Sequence, residues 1–356
     1  MKLASRWQWP WLIFALVAMV AAGSCTLQAQ APATATQPAA TQPSTQAAWP
    51  QAAIGTGDLK LTIYTPDAQK GYYRGTRFDW SSQLQATYKG HTFFGPREGT
   101  AARHDPAVHD HGIGLCEEFG MEGDFSPQGF ADAKAGETFM KIGVGLLEKP
   151  ADDKPYKFNG AYKLVEPGAW TVKAEADSVE LKQSLADKRG LAYEYTRRIT
   201  INEMGNGFVV DRVLKNVGTK EIVTNHYAHN FILIDNVQAG PEYVVAFPFD
   251  VPGPIKNQAA KPSGKTVELA EPIKGAVWAA LIKEDAPAEQ KAARNNAATV
   301  TQTRLKAAVS LRGDQPLLKY NLYAEKTAIC PEPFVAITVA PGKQFSWQTT
   351  YSFELN

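Results

Sequence analysis

Cysteine is scarce: a chain of 356 residues holds only Cys25, Cys116 and Cys330. So few exclude a scaffold stapled by several disulfides. Should Cys25 serve another purpose, Cys116 and Cys330 remain as one conceivable bridge in an oxidising compartment. Against it stands the simpler expectation of two separate buried thiols. Net charge is also nearly missing. The 37 basic and 36 acidic residues leave +1, so no strong field draws this protein to nucleic acid or to acidic lipid. Helical periodicity is hard to find; AEQKAARNNAATV at 288–300 predicts one short helix. Histidine is limited to six positions, and two of them stand three residues apart in TNHYAHNFILID at 224–235.

What is present begins with MKLASRWQWPW, which carries Lys2 and Arg6 and leads into LIFALVAMVAAGS, an apolar run ending in small residues. The run falls short of the ~20 residues a membrane-spanning helix needs and suits a signal peptide, so residues 1–25 predict export to the periplasm or cell envelope. Ala22-Gly23-Ser24-Cys25 resembles a bacterial lipobox. That implies lipidation of Cys25 and membrane association through this anchor alone; plain cleavage near Leu27-Gln28-Ala29 is the other reading. Residues 26–56 are almost all Ala, Thr, Gln and Pro, with too little apolar surface to offset the ordering cost of the backbone, and predict a disordered tether. The remainder, 57–356, is about 300 residues and can bury a large core.

That remainder has the pattern of strands. LKLTIYT, LQATYKGHTFF, TFMKIGVGLLE, WTVKAEADSVELKQSL, LAYEYTRRITINE, GFVVDRVLKNV and EIVTNHYAHNFILI alternate or run β-branched and aromatic between turn residues. EMGNG and GTKE, with Gly or Asn where a positive φ is needed, predict hairpins on either side of GFVVDRVLKNV. An all-β chain built as a large antiparallel β-sandwich follows.

TNHYAHNFILID resembles the aldose 1-epimerase (galactose mutarotase) segment TNHxYFNL. Thr224, Asn225 and His226 match, and Tyr227-Ala228-His229-Asn230 stands where the family has its Tyr-Phe-Asn part. CPEPFVAITVAPGKQFSWQTTYSFEL at 330–355 resembles the family's closing pattern, with Glu332-Pro333 at the acidic position and Pro341-Gly342 at the turn. The resemblance implies a galactose mutarotase-like supersandwich. It also implies an isomerase that interconverts sugar anomers by general acid–base catalysis, with no metal or organic cofactor. By position His226 becomes the acid toward the ring oxygen and Glu332 the base toward the anomeric hydroxyl. Opening a hemiacetal needs one proton removed at O1 and one delivered at O5, which such a pair can supply.

Other family positions fall on Arg77, as a grip on sugar hydroxyls, and on His111-Gly112, as the earlier histidine of the site. Asn225, His229 and Glu118 complete the expected sugar-binding set. Strict strand alternation puts Asn225, Tyr227 and His229 on one face and His226, Ala228 and Asn230 on the other, which gives His229 a supporting part. Glu117 and Glu118 in CEEFG lie outside the family pattern. If they replace the family's glycine-rich run, one of them faces the cleft.

Two other readings fit parts of the same sequence. His104, His109, Asp110 and His111, with Glu117 and Glu118, offer ligands that zinc accepts, but Pro106 breaks any helical spacing and no metal signature appears. A non-catalytic carbohydrate-binding lipoprotein of the same fold is the second alternative. The aromatics Tyr72, Tyr73, Phe78, Trp80, Phe93, Phe94, Trp170, Trp278 and Trp347 are expected mostly in the core, with any exposed member free to platform a sugar ring.

Overall fold

In AYEYTRRITI every second side chain is buried, so Tyr193, Tyr195, Arg197, Ile199 and Ile201 form one inward row. The same period of two recurs along the chain and makes sheets rather than helices. The computed structural model describes residues 49–96, 104–120, 126–152 and 154–355. The signal-like segment, Cys25 and the tether up to residue 48 lie outside the described residues.

β1 (Gln51–Thr56), β2 (Leu59–Tyr64), β3 (Leu84–Tyr88) and β4 (His91–Thr92) form one sheet in chain order. β5 (Glu117–Phe119) joins a distant sheet, while β6 (Thr138–Lys141), β7 (Gly145–Glu148) and β8 (Lys163–Glu166) make a small meander. Then come β9 (Ala169–Ala174), β10 (Ser178–Ala186), β11 (Ala192–Ile201), β12 (Gly207–Asn216) and β13 (Ile222–Ala228). Shorter strands follow: β14 (Tyr243–Ala246), β15 (Ala260–Ser263), β16 (Thr266–Leu269) and β17 (Val277–Ile282). The chain closes with β18 (Ala297–Gln302), β19 (Ala307–Gly313), β20 (Lys319–Glu325), β21 (Ala328–Val339) and β22 (Gln344–Leu355). Ten strands lie in the order β15-β16-β14-β18-β19-β22-β12-β11-β10-β9, and five in the order β17-β20-β21-β13-β5. The smaller sheet packs on the larger: Phe119 meets Tyr195 edge-on, and the Tyr351 hydroxyl donates to Asn230 Oδ1 at 2.8 Å.

Several expectations change here. EMGNG does close the β11–β12 hairpin, with Gly205 at φ +66. GTKE does not close a second one. β12 pairs with β11 and β22, β13 with β21 and β5, so the chain changes sheets at this corner. Thr219 and Lys220 donate there to the Gly190 carbonyl instead of forming a ladder. No helix spans 288–300: a single 3-10 turn at Ala293–Asn295 leads directly into β18. Of the alanines in that stretch, Ala297 and Ala298 are buried at the start of β18, while Ala288, Ala292 and Ala293 lie before the strand. The folded body starts earlier than residue 57, because Gln51–Thr56 pairs along its whole length with β2. Cys116 and Cys330 are both buried thiols of one apolar cluster.

Candidate functional site

The outer face of the five-stranded sheet holds a cleft of about 430 Å³. Alternation along the strands selects its lining. β17 gives Trp278, Ala280 and Ile282; β20 gives Lys319, Asn321 and Tyr323; β21 gives Glu332 and Phe334; β13 and its exit give Tyr227, His229 and Phe231. Arg77 and Phe158 close it from neighbouring loops.

Alternation turns Glu332 to the cleft, and the prolines beside it leave this stretch of β21 without a ladder to β13. Phe334, of the same parity as Glu332, accepts a hydrogen bond from Leu318 on the β20 side, so Pro331 and Pro333 turn their backbone toward β13. The β13–β21 ladder stops at His226 opposite Val335. The two missing N–H groups therefore fall where no strand partner is required. Asn230, at φ +54, fills the gap by donating from Nδ2 to the Pro331 carbonyl at 2.7 Å. With β13 ended, His229 swings beside Glu332.

His229 Nδ1 lies 2.8 Å from Glu332 Oε1, and an ionised carboxylate only accepts, so Nδ1 carries the proton. Nε2 lies 2.8 Å from the Tyr227 hydroxyl and 3.3 Å from Glu118 Oε2, with Arg77 Nη2 at 3.5 Å. Behind them Glu118 is fully buried. Its Oε2 accepts from Tyr227 at 3.0 Å and from Arg77 Nε at 3.2 Å, and its Oε1 accepts from Lys141 Nζ at 2.8 Å. Burial alone would raise this carboxyl, but Lys141 and Arg77 hold it well below the usual carboxylate range. Arg77 is pinned further by an ion pair with Asp110 and lies over the Phe158 ring at 4.7 Å. Burial pushes the Tyr227 phenol well above its ordinary value, reinforced by Glu118.

Glu117 points the other way, as the pleat requires of neighbours on a strand. It enters the space between the sheets and meets Arg212 Nη2 at 2.6 Å, Arg197 Nη2 at 3.1 Å and His226 Nε2 at 3.1 Å. Arg197 and Arg212 face each other directly in the β11–β12 register, an arrangement that only a carboxylate between them makes tolerable. His226 donates from Nε2 to Glu117 and accepts at Nδ1 from Trp347 Nε1 at 3.2 Å. Both ring nitrogens are taken, the residue is 4% exposed, and burial first of all brings its imidazole down to about 4.

The structure thus separates the residues singled out from sequence. Arg77, Glu118, His229 and Glu332 come together at the cleft. The partner of Glu332 is His229 and not His226, because alternation turns His226 inward, although the TNH match falls on it. Asn225 is buried in β13 and does not line the cleft. His111 does not line it either. Its Nδ1 accepts from the Asp105 amide at 2.9 Å, and its loop reaches the site through Asp110. The EEF pair divides as a strand must, Glu118 to the cleft side and Glu117 to the interior, so neither meets bulk solvent. Among the described residues no three His, Cys, Asp or Glu side chains are arranged to hold a metal ion; Glu117 and Glu118 are spent on arginine and lysine. Lys141 and Tyr227 were not singled out. The signal for Lys141 is a basic residue closing the apolar TFM strand, and for Tyr227 its parity with His229.

Neither a protein-family model nor a curated protein sequence matches this chain. Solved structures do. A protein of Synechocystis sp. aligns with a TM-score of 0.54 at 11% identity, over 87% of this chain and 97% of that one. A candidate aldose 1-epimerase of Escherichia coli aligns at 0.50 and 14% identity, over 86% and 99%. At such identities the likeness is one of fold, and the fold of this chain is the galactose mutarotase-like β-sandwich shared with structures of the aldose 1-epimerase kind.

Proposed function

We propose that the cleft binds a sugar and interconverts its anomers, with Glu332 as base toward O1 and His229 as acid toward O5. The observation that supports this most is the 2.8 Å contact between His229 Nδ1 and Glu332 Oε1 at the cleft. A hemiacetal carries its hydroxyl O1 and its ring oxygen O5 on one carbon. It offers a donor and an acceptor side by side, and can exchange the single imidazole–carboxylate bond for two bonds to itself. Proton transfer along them breaks the C1–O5 bond, leaving the open aldehyde; rotation about C1–C2 and the reverse transfers close the other anomer. The starting state pairs imidazolium His229 with carboxylate Glu332. Around it Arg77, Lys141 and His229 balance Asp110, Glu118 and Glu332, and the Nε2 proton rests on Tyr227 and Glu118 throughout.

Positioned acid–base groups contribute roughly 10²–10⁴-fold to such steps. Polarimetry on freshly dissolved α-glucose and α-galactose tests the idea. Wild type is expected to speed relaxation, and Glu332→Gln to lose at least a hundredfold of that acceleration. Relaxation at the uncatalysed rate with wild type, together with measurable sugar binding, would favour the carbohydrate-binding alternative.

We also propose export with lipidation at Cys25, on the strength of the apolar run and the Ala22–Cys25 sequence. Metabolic labelling with a radioactive fatty acid should mark the full chain and spare a Cys25→Ala variant; equal labelling of both would remove the anchor.

A further inference from the structure

The cleft continues beyond its acid–base couple. Register sets Asn321 opposite Glu332, and Ala280 opposite Asn321, so these three form one row across β21, β20 and β17. Two residues along the same face comes a second row, in which Tyr323 and Trp278 stand directly opposite each other. All five line the cleft. From strand geometry Trp278 stands roughly 10 Å across and roughly 7 Å along from Glu332, farther than one pyranose ring spans. Between them Ala280 contributes only a methyl group, which leaves the floor open.

Trp278 has no packing role to explain it. Trp80 and Trp347 are buried, but Trp278 is 59% exposed on the edge strand of its sheet. Four other large apolar side chains are exposed among the described residues, Val165, Val172, Met204 and Val217, and none of them borders the cleft. Tyr323 is held beside it by donating its hydroxyl to Glu325 Oε2 at 2.7 Å. Two adjacent aromatic residues at the end of a largely apolar cleft that also presents Lys319, Asn321 and Glu332 suit a ligand with apolar C–H faces and hydroxyl edges.

Resting on the sugar reading above, we infer that Trp278 and Tyr323 form a second sugar subsite. The substrate class is then a reducing disaccharide or longer oligosaccharide. Its reducing ring lies at Glu332 and His229, and its next ring stacks on Trp278.

Calorimetric titration of the full chain with glucose, galactose, mannose and N-acetylglucosamine, and with maltose, cellobiose, lactose, mannobiose and chitobiose, tests the subsite. At least one disaccharide should bind ten times more tightly than the monosaccharide at its reducing end. Trp278→Ala should bring that ratio close to one, with Trp278→Phe restoring part of it and circular dichroism verifying the fold of both variants. Disaccharides that gain nothing over monosaccharides, or a ratio unmoved by Trp278→Ala, overturn the subsite while the sugar reading stands. Failure of every sugar to bind and to have its anomer exchange accelerated removes both.

Discussion

His226 and His229 differ by three positions and by which side of a sheet they face. For His226 the surroundings are closed: Glu117 on one nitrogen, Trp347 on the other, and Phe119 against the ring at 4.7 Å. Burial outweighs what Glu117 would return to a protonated ring, and protonation would also cost the Trp347 bond and add charge beside Arg197 and Arg212. Its side-chain ¹⁵N signals should therefore keep the neutral Nε2–H pattern as pH is lowered, changing only near pH 4; titration near the ordinary value of about 6.5 would contradict the closed environment. The mutarotase resemblance was legible in the letters TNH and EP, and alternation already put the two histidines on opposite faces. What the letters did not contain is that the β13–β21 ladder ends at His226, which lets His229 turn to Glu332. That depends on Pro331, Pro333 and the left-handed Asn230 acting together from segments a hundred residues apart.

At the scale of elements, three-residue β5 does more than its length suggests. Its two glutamates organise both sides of the five-stranded sheet, Glu118 behind the cleft and Glu117 in the interior. Removing one partner of a buried ion cluster is costly, so Glu117→Gln, which leaves Arg197 and Arg212 face to face, should destabilise the protein by roughly 3–5 kcal/mol in urea unfolding. A loss below about 1 kcal/mol, the range of exposed pairs, would mean that the cluster is far better solvated than its complete burial implies. Long strands such as LAYEYTRRITI and GFVVDRVLKNV were readable because their period of two runs for ten residues. The corner at GTKE was not. A hairpin turn and a change of sheet use the same short polar letters, and only the partners of β13 distinguish them. Ala297 and Ala298 misled for a related reason: propensity favours helix, but both faces of β18 are covered at its start, where small side chains fit.

Across the whole molecule the interior carries opposed titrations. His226 is lowered to about 4, so the unfolded chain takes up a proton first and stability falls as pH drops from 6.5. Asp79 is raised to about 6 by burial and by Glu117, so the folded chain takes up its proton first and stability rises as pH drops below 6. The two largely cancel between pH 6.5 and 4.5. Stability of the wild type should be nearly flat over that window, whereas Asp79→Asn, which leaves the His226 contribution unopposed, should lose roughly 2–3 kcal/mol. A flat profile in both proteins would show that His226 is not held neutral by the fold.

In the proposed mechanism the working pair is His229 with Glu332. Exchange NMR at neutral pH, following α- to β-glucose and α- to β-galactose interconversion with equal amounts of folded wild type, His229→Gln, Glu332→Gln and His226→Gln, addresses it most directly. His229→Gln and Glu332→Gln should each lose at least a hundredfold of the catalysed rate, and His226→Gln should stay within tenfold of wild type while unfolding more easily. Loss of exchange in His226→Gln with its retention in His229→Gln would instead assign the acid to His226.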